Sequence, residues 1–529
     1  MESKSQAGKI SFGESVPGNA FAPDRGINST VEDQIWEKLR LKTDEPDIPQ
    51  ANPPAGLSGQ SKGSAILNGR ELEWSKKPFP YQLKGIDFLI SRDALLLADD
   101  MGLGKTLQAI AALRILIHEK RIETVLIIVP AGLISQWRKE LHLIGPELRI
   151  STVHGPSDER AYQWRANAQV FLTSYETLRG DFTANLQSPP RRRMWDLAII
   201  DEAQKIKNRD TEISRKCKRL PRRRAWALTG TPLENSPDDL ASILEFTRPL
   251  ENGSEPLHII PGLEMREMHQ NLQLRRKKRD VLPELPPKIV TAIPLPLLPK
   301  QRVTYNRAEK EGILQLKEKG EALRINNVLE LILRLKQICN FCPVSGESIK
   351  MENILEKMQT LTDEGHRAII FSQFTDGKYG VLAIYRRLLS FNPLVFTGGL
   401  NLQQRETAVR LFKSDPNHKI LLLSLRAGGQ GLNLQHASYV FHFDRWWNPA
   451  VEHQAEDRSH RLGQTLPVHV YKYTCENTIE ERIETILHKK QRLFDDLVDD
   501  VSIDIRSRLT EEELFGLFDL TPPARPKTK

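Results

Sequence analysis

An α/β protein with two parallel-sheet lobes and a mainly helical insertion is what this chain of 529 residues predicts. Three observations carry that reading. From Phe79 onward, short apolar runs alternate with helix-period segments, the alternation stops near Pro249, and it resumes at Arg367. Apolar runs alternating with helices imply right-handed crossovers and a parallel sheet covered on both faces. Two separate series imply two sheets. The length agrees, since a single core rarely grows beyond ~250–300 residues.

Taken in order, residues 1–70 are rich in Gly, Ser, Pro and charge and are expected to be mostly disordered. One helix is expected there, opened by a Ser29/Glu32 capping box ahead of Ile35, Trp36 and Leu39, with Trp36 docking on the body of the protein. The first lobe, 71–248, has strand candidates at 94–98, 124–129, 149–153, 169–173, 197–200 and 225–229. Between 249 and 352 the strand pattern stops. Pro-rich extended pieces at 282–300 precede helical segments at 300–319 and 322–340, an insertion between two sheets and not a third independent core. The second lobe, 353–508, has strand candidates at 367–371, 394–396, 419–423, 439–443 and 468–471. The last segment, 509–529, holds a short helix with a Thr510/Glu513 capping box before Leu514, Phe515, Leu517 and Phe518. That helix is expected to pack back on the body, followed by a disordered tail.

The first chemical signal is DDMGLGKT, 99–106, between the first apolar run and a helix. A Gly-rich turn that leaves a strand and opens a helix aims backbone N–H groups at one spot, and the helix dipole favours an anion there. Lys105 then reaches the β- and γ-phosphates of a nucleotide such as ATP, and the Thr106 hydroxyl is placed to hold Mg²⁺. Asp99, Met101, Gly102, Leu103 and Gly104 form the rest of the cradle, with Asp99 where the usual pattern has its first glycine. In parallel sheets ligands bind at the carboxyl ends of the strands, which is where this turn falls.

The second signal is DEAQ, 201–204, at the end of the WDLAII run. Asp201 is suited to Mg²⁺, and Glu202 to orienting and deprotonating a water. Capping of the next helix is the simpler role of a DE pair, but it leaves the strand and the upstream GKT unexplained. Thr229, Gly230 and Thr231, at the next strand end, are small groups able to pass a change at the phosphates to a neighbouring surface; by composition they also make a good turn. The second lobe has no phosphate loop, so a nucleotide between the lobes would draw arginines from it. Arg458 and Arg461 are one helical turn apart, with Gln454 a turn before. An ion pair with Glu456 or Asp457 is the other use of those arginines.

The chain carries a net charge of +8, which suits a polyanion partner as well as a basic enzyme with nothing bound. Two basic runs stand out, 215–224 and RRKKR at 275–279; the first reads as a solvated helix face, the second as a phosphate-backbone patch or a nuclear address. Four cysteines are too few for a disulfide framework, and the Cys339/Cys342 pair lacks the partner ligands of a zinc site. No run approaches membrane-spanning length and the first residues lack a signal-peptide core, so a cytoplasmic protein, nucleoid-associated if prokaryotic, is expected.

With these residues in view, the chain resembles the Swi/Snf-type ATP-dependent DNA translocases of helicase superfamily two, DEAD/DEAH-box-like and closest to the bacterial or archaeal type. The resemblance extends over roughly 79–500. Tyr81 and Gln82 resemble the family's adenine-reading glutamine motif, and DDMGLGKT its phosphate loop. LIIVPAGLISQW, LTSYETL, DEAQKIKN and LTGTPLEN resemble motifs Ia, Ib, II and III, with Gln204 where many relatives have His. RRKKRDVLPELPPK resembles the segment that links the lobes, and LRLKQICNFCP the family's LRQICNHP segment. IIFSQFTD, LSLRAGGQGLNLQHAS and WWNPAVEHQAEDRSHRLGQ resemble motifs IV, V and VI.

The resemblance implies two RecA-like lobes with an ATP cleft between them, and an ATPase that is stimulated by double-stranded DNA and moves along it. It gives catalytic roles to Lys105, Asp201, Glu202, Gln454, Arg458 and Arg461, and places Gln136, Thr173, Ser174, Gln373, Ala427, Gly428, Gly429 and Asn433 on the nucleic-acid side. It further implies a monomer that remodels or displaces protein–DNA complexes, with a DNA-bound protein such as RNA polymerase a candidate substrate. Two other readings use the same chain: an RNA-directed superfamily-two helicase, and a non-catalytic DNA clamp. The LPPK insert, the GGQGLNL motif V and the HRLGQ ending argue against the first, and the intact catalytic positions against the second.

Overall fold

The computed structural model of the protein describes residues 74, 77–184, 188–230, 237–428, 432–447, 449–495 and 510–522. Eleven strands stand where apolar runs predicted them. In the first lobe these are β1 (Ala94–Leu97), β2 (Val125–Val129), β3 (Ile150–Val153), β4 (Val170–Ser174), β5 (Trp195–Asp201) and β6 (Arg222–Leu228). They pair in parallel in the order β3-β4-β2-β5-β6-β1, and β7 (Gln273–Leu274) joins at the β1 edge. The second lobe holds β8 (Lys288–Leu295), β9 (Ala368–Ser372), β10 (Leu394–Phe396), β11 (Ile420–Ser424), β12 (Tyr439–His442) and β13 (Val468–Cys475), ordered β10-β11-β9-β12-β13-β8 and again all parallel. Central strands such as VLIIV of β2 and ILLLS of β11 are buried at every position, because helices cover both faces of each sheet.

One expectation about 249–352 needs correcting. Strand pairing does not stop there: β7 extends the first sheet and β8, eight residues long, extends the second. Both are edge strands. β8 is apolar at Ile289, Val290, Ala292, Ile293 and Leu295, yet its middle residues are mostly exposed, because one side of an edge strand faces water. The helices Pro299–Glu318 and Ile325–Asn340 share one apolar cluster with the end of the second lobe, so they do not form an independent core. Leu331, Ile332 and Leu335 pack there with Ile479 and Ile483 of the helix Ile479–Asp495. Leu514, Phe515, Leu517 and Phe518 close the same cluster, so the C-terminal helix does pack back, and Thr510 and Glu513 form its capping box.

All these strands are parallel, so the turn after β1, Asp201 ending β5 and Ser174 ending β4 lie along one edge of the first sheet. Among the described residues no helix is long and apolar enough to cross a membrane. The expected helix around Trp36, Thr231 with the rest of its motif, Gly429 and the last tail residues lie outside the described residues.

Candidate active site

The loop after β1 is shaped by two glycines, Gly102 and Gly104, at φ 87° and 77°, a region that L-residues with side chains rarely adopt. Gly104 caps the helix Lys105–His118, which has no acidic residue in its first turn to compete with an incoming anion. Lys105 is enclosed. Its ammonium donates to the carbonyl oxygens of Asp99 at 2.6 Å and Asp100 at 3.2 Å. Burial lowers its pKa, opposed by the carboxylates of Glu202, Asp99, Asp201 and Asp100. Tyr81 and Gln82 lie against the same loop and are buried: both donate to the Leu103 carbonyl, at 3.2 and 3.1 Å, and Gln82 Oε1 accepts from the Phe79 N–H.

Asp99, the departure from the usual phosphate loop, is fully buried and tied to the inter-lobe linker. Arg276 Nε donates to its Oδ1 at 2.9 Å and Gln108 Nε2 to its Oδ2 at 3.2 Å. The linker follows the loop further, with Ala98 N–H bonded to Leu274 O and Asp100 N–H to Arg276 O. A carboxylate replaces glycine here because it anchors the loop from behind. The RRKKR run is therefore not simply a solvated phosphate patch. The chain is extended up to Lys277 and turns into a short helix at Lys278: Arg276 and Lys278 are inside, while Arg275, Lys277 and Arg279 are exposed. Likewise Lys218 and Arg222 of the first run are buried, Lys218 on Glu245 at 2.7 Å and Arg222 on the carbonyls of Phe246, Lys218 and Leu220.

At the end of β5, Asp201 is held from three sides. The Trp137 indole N–H donates to Oδ2 at 2.8 Å, the Glu202 N–H to Oδ1 at 2.9 Å, and the Tyr175 hydroxyl to the Asp201 carbonyl at 2.7 Å. Burial, then the charge of Glu202, pushes the Asp201 carboxyl up to about 6, against the Trp137 hydrogen bond and Lys105. Glu202 sits in the left-handed region at φ 53°. Its Oε2 accepts from Gln204 Nε2 at 2.6 Å, and Gln204 Oε1 accepts from the buried Thr229 hydroxyl at 2.9 Å. Gln204 thus joins the Glu202 carboxylate to the end of β6. Gly230, next in the chain, backs onto Met101 and Lys105.

The second lobe closes the site. On the helix Pro449–Glu456, Gln454 Nε2 reaches Glu202 Oε1 at 3.4 Å. Arg458 is buried, which lowers its pKa, and Glu202, Asp457 and Asp201 oppose that shift across the cleft. Arg461 falls to about 10, through burial and the charge of Arg458. It lies so near the loop that a Cβ on Gly102 would meet Arg461 Cβ at 2.8 Å. Lys278 completes the closure: its N–H donates to Asp100 Oδ2 at 2.9 Å, and its ammonium to Asp457 and the His460 carbonyl, each at 2.7 Å. Lys105, Asp201, Glu202, Gln454, Arg458 and Arg461 lie around one cleft, with Thr106 in the first turn of the loop helix.

The residues expected on the nucleic-acid side are more scattered. Thr173 does not offer its hydroxyl to a surface: it is fully buried in β4 and donates to Val153 O at 3.2 Å, because every position of that strand is covered. Ser174 is also buried, and its hydroxyl accepts from the Thr177 N–H at the start of the next helix. Gln136 is half-buried on the helix Ile134–Ile144, next to exposed Arg138 and Lys139. Gln373 Nε2 and Asn433 Oδ1 are buried without a hydrogen-bond partner among the described residues. Ala427 is buried, and Gly428 ends the short helix Leu425–Gly428.

Sequence reasoning gave no role to Trp137, Tyr175, Gln108, Arg276 and Lys278. Arg276 and Lys278 stood only within a basic run, whose uniform charge does not say which side chains turn inward. The others announce themselves only through their partners.

The donor set fits a nucleotide with a hard cation. A left-handed glycine turn and an uncompensated helix start suit phosphate, and the Thr106 hydroxyl and Asp201 carboxylate are the oxygen ligands that Mg²⁺ prefers. The described residues include one other tight cluster of ligating types, Cys339, Cys475 and Glu480, but Glu480 already holds the buried Lys350 ammonium at 2.7 Å.

A model of the SNF2-related domain matches residues 81–343, and a model of the helicase conserved C-terminal domain matches residues 350–463. An uncharacterized ATP-dependent helicase of Mycoplasma genitalium is 35% identical over 463 residues, 83% of this chain and 44% of that protein. The putative ATP-dependent helicase/translocase YwqA of Bacillus subtilis is 32% identical over 556 residues, 98% of this chain and 57% of that protein. The ISWI chromatin-remodeling complex ATPase of Saccharomyces cerevisiae is 31% identical over 457 residues, 78% of this chain and 40% of that protein. The chain thus spans about half the length of the curated relatives it matches. Among solved structures, the Sulfolobus solfataricus SWI2/SNF2 ATPase core in complex with dsDNA is 30% identical, over 86% of this chain and 100% of that one, at a TM-score of 0.38.

Proposed function

The chain belongs to the SNF2-related family of ATP-dependent helicases, and from that premise we propose that it hydrolyses ATP with Mg²⁺ and uses the cycle to move on double-stranded DNA, displacing bound protein. One observation carries the hydrolytic part: Glu202 of the first lobe and Gln454 of the second meet at 3.4 Å beside Lys105, Asp201 and Arg458. A cleft that brings a phosphate cradle, two carboxylates and two arginines together from opposite lobes suits phosphoryl transfer.

Each side chain has a task. The loop N–H groups and Lys105 bind the terminal phosphates, with Lys105 released from the Asp99 and Asp100 carbonyls to do so. Thr106 and Asp201 would hold the cation, which would offset phosphate charge. Glu202 takes the proton of the attacking water, oriented from one side by Gln204 and from the other by Gln454. Arg458 and Arg461 meet the charge that grows on the transferred group, in a site that water reaches poorly. The Gln204–Thr229 bond carries a change at Glu202 to the end of β6, and Lys278 ties the loop to the arginine segment, so the phosphate state biases how the lobes sit.

DNA as the track is supported by the relatives named helicase, translocase and chromatin-remodeling ATPase, and by the net charge of +8. Half-buried Gln136, with Arg138 and Lys139 exposed beside it, suits phosphate better than base edges. Steady-state ATPase rates without nucleic acid and with duplex DNA, single-stranded DNA or RNA test the proposal, with Glu202→Gln as control. Stimulation by duplex DNA is expected. Stimulation by RNA alone would move the assignment to the RNA-directed branch, and turnover in Glu202→Gln equal to wild type would remove the catalytic assignment.

A further inference from the structure

Trp137 has the geometry of a group that acts through another. It lies on the helix Ile134–Ile144, is 1% exposed, and packs among Leu133, Leu141 and Ile144 of the first-lobe core. For that packing an indole has no advantage over phenylalanine or leucine. Its one polar atom needs a partner when buried, and the partner here is Asp201 Oδ2 at 2.8 Å. Asp201 Oδ1 is fixed by the Glu202 N–H and its carbonyl by Tyr175, so the indole sets the remaining freedom of the carboxylate. The other face of the same helix meets the second lobe. Ser135 and Lys139 donate to Glu406 at 3.3 and 2.7 Å, so one rigid element touches both the buried carboxylate and the opposite lobe.

We infer that Trp137 is a positioning residue for the divalent cation: its indole N–H holds the Asp201 carboxylate in the orientation that accepts Mg²⁺, and thereby makes cation affinity depend on where the helix Ile134–Ile144 sits. The inference rests on the proposed role of Asp201. It goes beyond it by assigning a partner that never touches nucleotide or metal. Residues that orient a metal ligand commonly change metal affinity by ~10–100-fold when removed, and a hydrogen bond to a buried carboxylate is among the stronger kinds.

The test compares wild type with Trp137→Phe, which keeps an aromatic ring and removes the N–H. ADP binding is measured by calorimetry with Mg²⁺ and with EDTA, alongside ATPase rates across Mg²⁺ concentrations. In Trp137→Phe the Mg²⁺ concentration for half-maximal turnover is expected to rise by about tenfold. The gain in ADP affinity on adding Mg²⁺ should shrink correspondingly, while ADP affinity in EDTA stays within about twofold. A merely structural tryptophan would lower both ADP affinities together, or neither. If Trp137→Phe does not fold, replacing Trp137 with benzothienylalanine changes only the N–H to sulfur and serves the same comparison. An unchanged Mg²⁺ dependence in a folded variant would overturn the inference and leave the ATPase reading standing. Wild-type protein whose ADP affinity ignores Mg²⁺ would overturn the role of Asp201 and this inference with it.

Discussion

The two lobes share an architecture and differ in what they do with buried charge. In the first lobe the buried ionisable groups at the strand ends are left under tension. Asp201 is pushed up to about 6 by burial and by Glu202, Lys105 is lowered by burial, and Glu202 holds a left-handed backbone. In the second lobe, apart from Arg458 and Arg461 at the cleft, buried charges around the helix Pro449–Glu456 satisfy one another. Glu452 accepts from Arg445 and Lys472, and Glu456 pairs with Lys472 and Lys288. Despite burial, which acts the other way, Arg445, His442 and Lys472 hold the Glu452 carboxyl down at about 2. The first lobe keeps its charges ready for an incoming ligand; the second uses its charges to fix the helix that presents Gln454 and leads to the arginines. Strain concentrates where chemistry is to happen, and compensation where a pose has to be held.

That contrast predicts different failures. The largest effects belong to the first lobe: Lys105→Ala and Glu202→Gln should each lower turnover on the order of a thousandfold or more without loss of thermal stability, read by ATPase assay and calorimetry. Asp201→Asn should be equally inactive and melt no lower than wild type, since it removes a charge that burial disfavours. Next, Arg458→Ala should cost about a thousandfold in kcat with nucleotide binding retained, as expected for an arginine that meets only the developing charge.

Glu456→Gln breaks the contrast open from the other side. It leaves Lys288 without its carboxylate and Lys472 with Glu452 alone, so stability should drop by about 3 kcal/mol in denaturant unfolding. Activity should then fall only as far as the arginine segment shifts.

Acidity should separate the lobes as well. The Glu452 carboxyl is depressed to about 2 from an ordinary value of 4.5, so its stabilising contribution is complete above about 4.5 and is lost as the pH falls toward 2. Asp201 has the opposite sign: its raised value means that protonation below about 6 relieves the first lobe. Unfolding followed by hydrogen exchange between pH 7 and 3 should find the second lobe opening first. The smallest effect is expected at the exposed contact between lobes, where Lys139→Ala should change stability by less than about 1 kcal/mol, because that pair stays in water.

Much of the site could be read in the sequence because its parts are local. DDMGLGKT is one turn, DEAQ ends one strand, and Gln454, Arg458 and Arg461 are near neighbours along the chain, although the helix ends at Glu456 and the two arginines stand in the turn after it and not one helical turn apart. Apolar continuity likewise marked all eleven strands that lie between helices. It was absent from β7, two residues long, and although β8 carries it, the prolines around that segment made it read as an extended linker; its place at the sheet edge is set by backbone pairing with β13. Thr173 was misjudged because a hydroxyl in a strand end looks available until both faces of the strand are known to be covered.

By itself, then, the sequence determined two parallel sheets, a phosphate cradle, a carboxylate pair and arginines to complement them, since hydrophobic period and turn chemistry are properties of neighbours along the chain. Only the tertiary structure decided which distant groups hold those parts in place. The Arg276–Asp99 anchor, the Trp137–Asp201 bond and the Lys278 bridge join residues that the chain separates by 177, 64 and 182 positions. Such pairings depend on where whole elements pack, and nothing in local spacing encodes that.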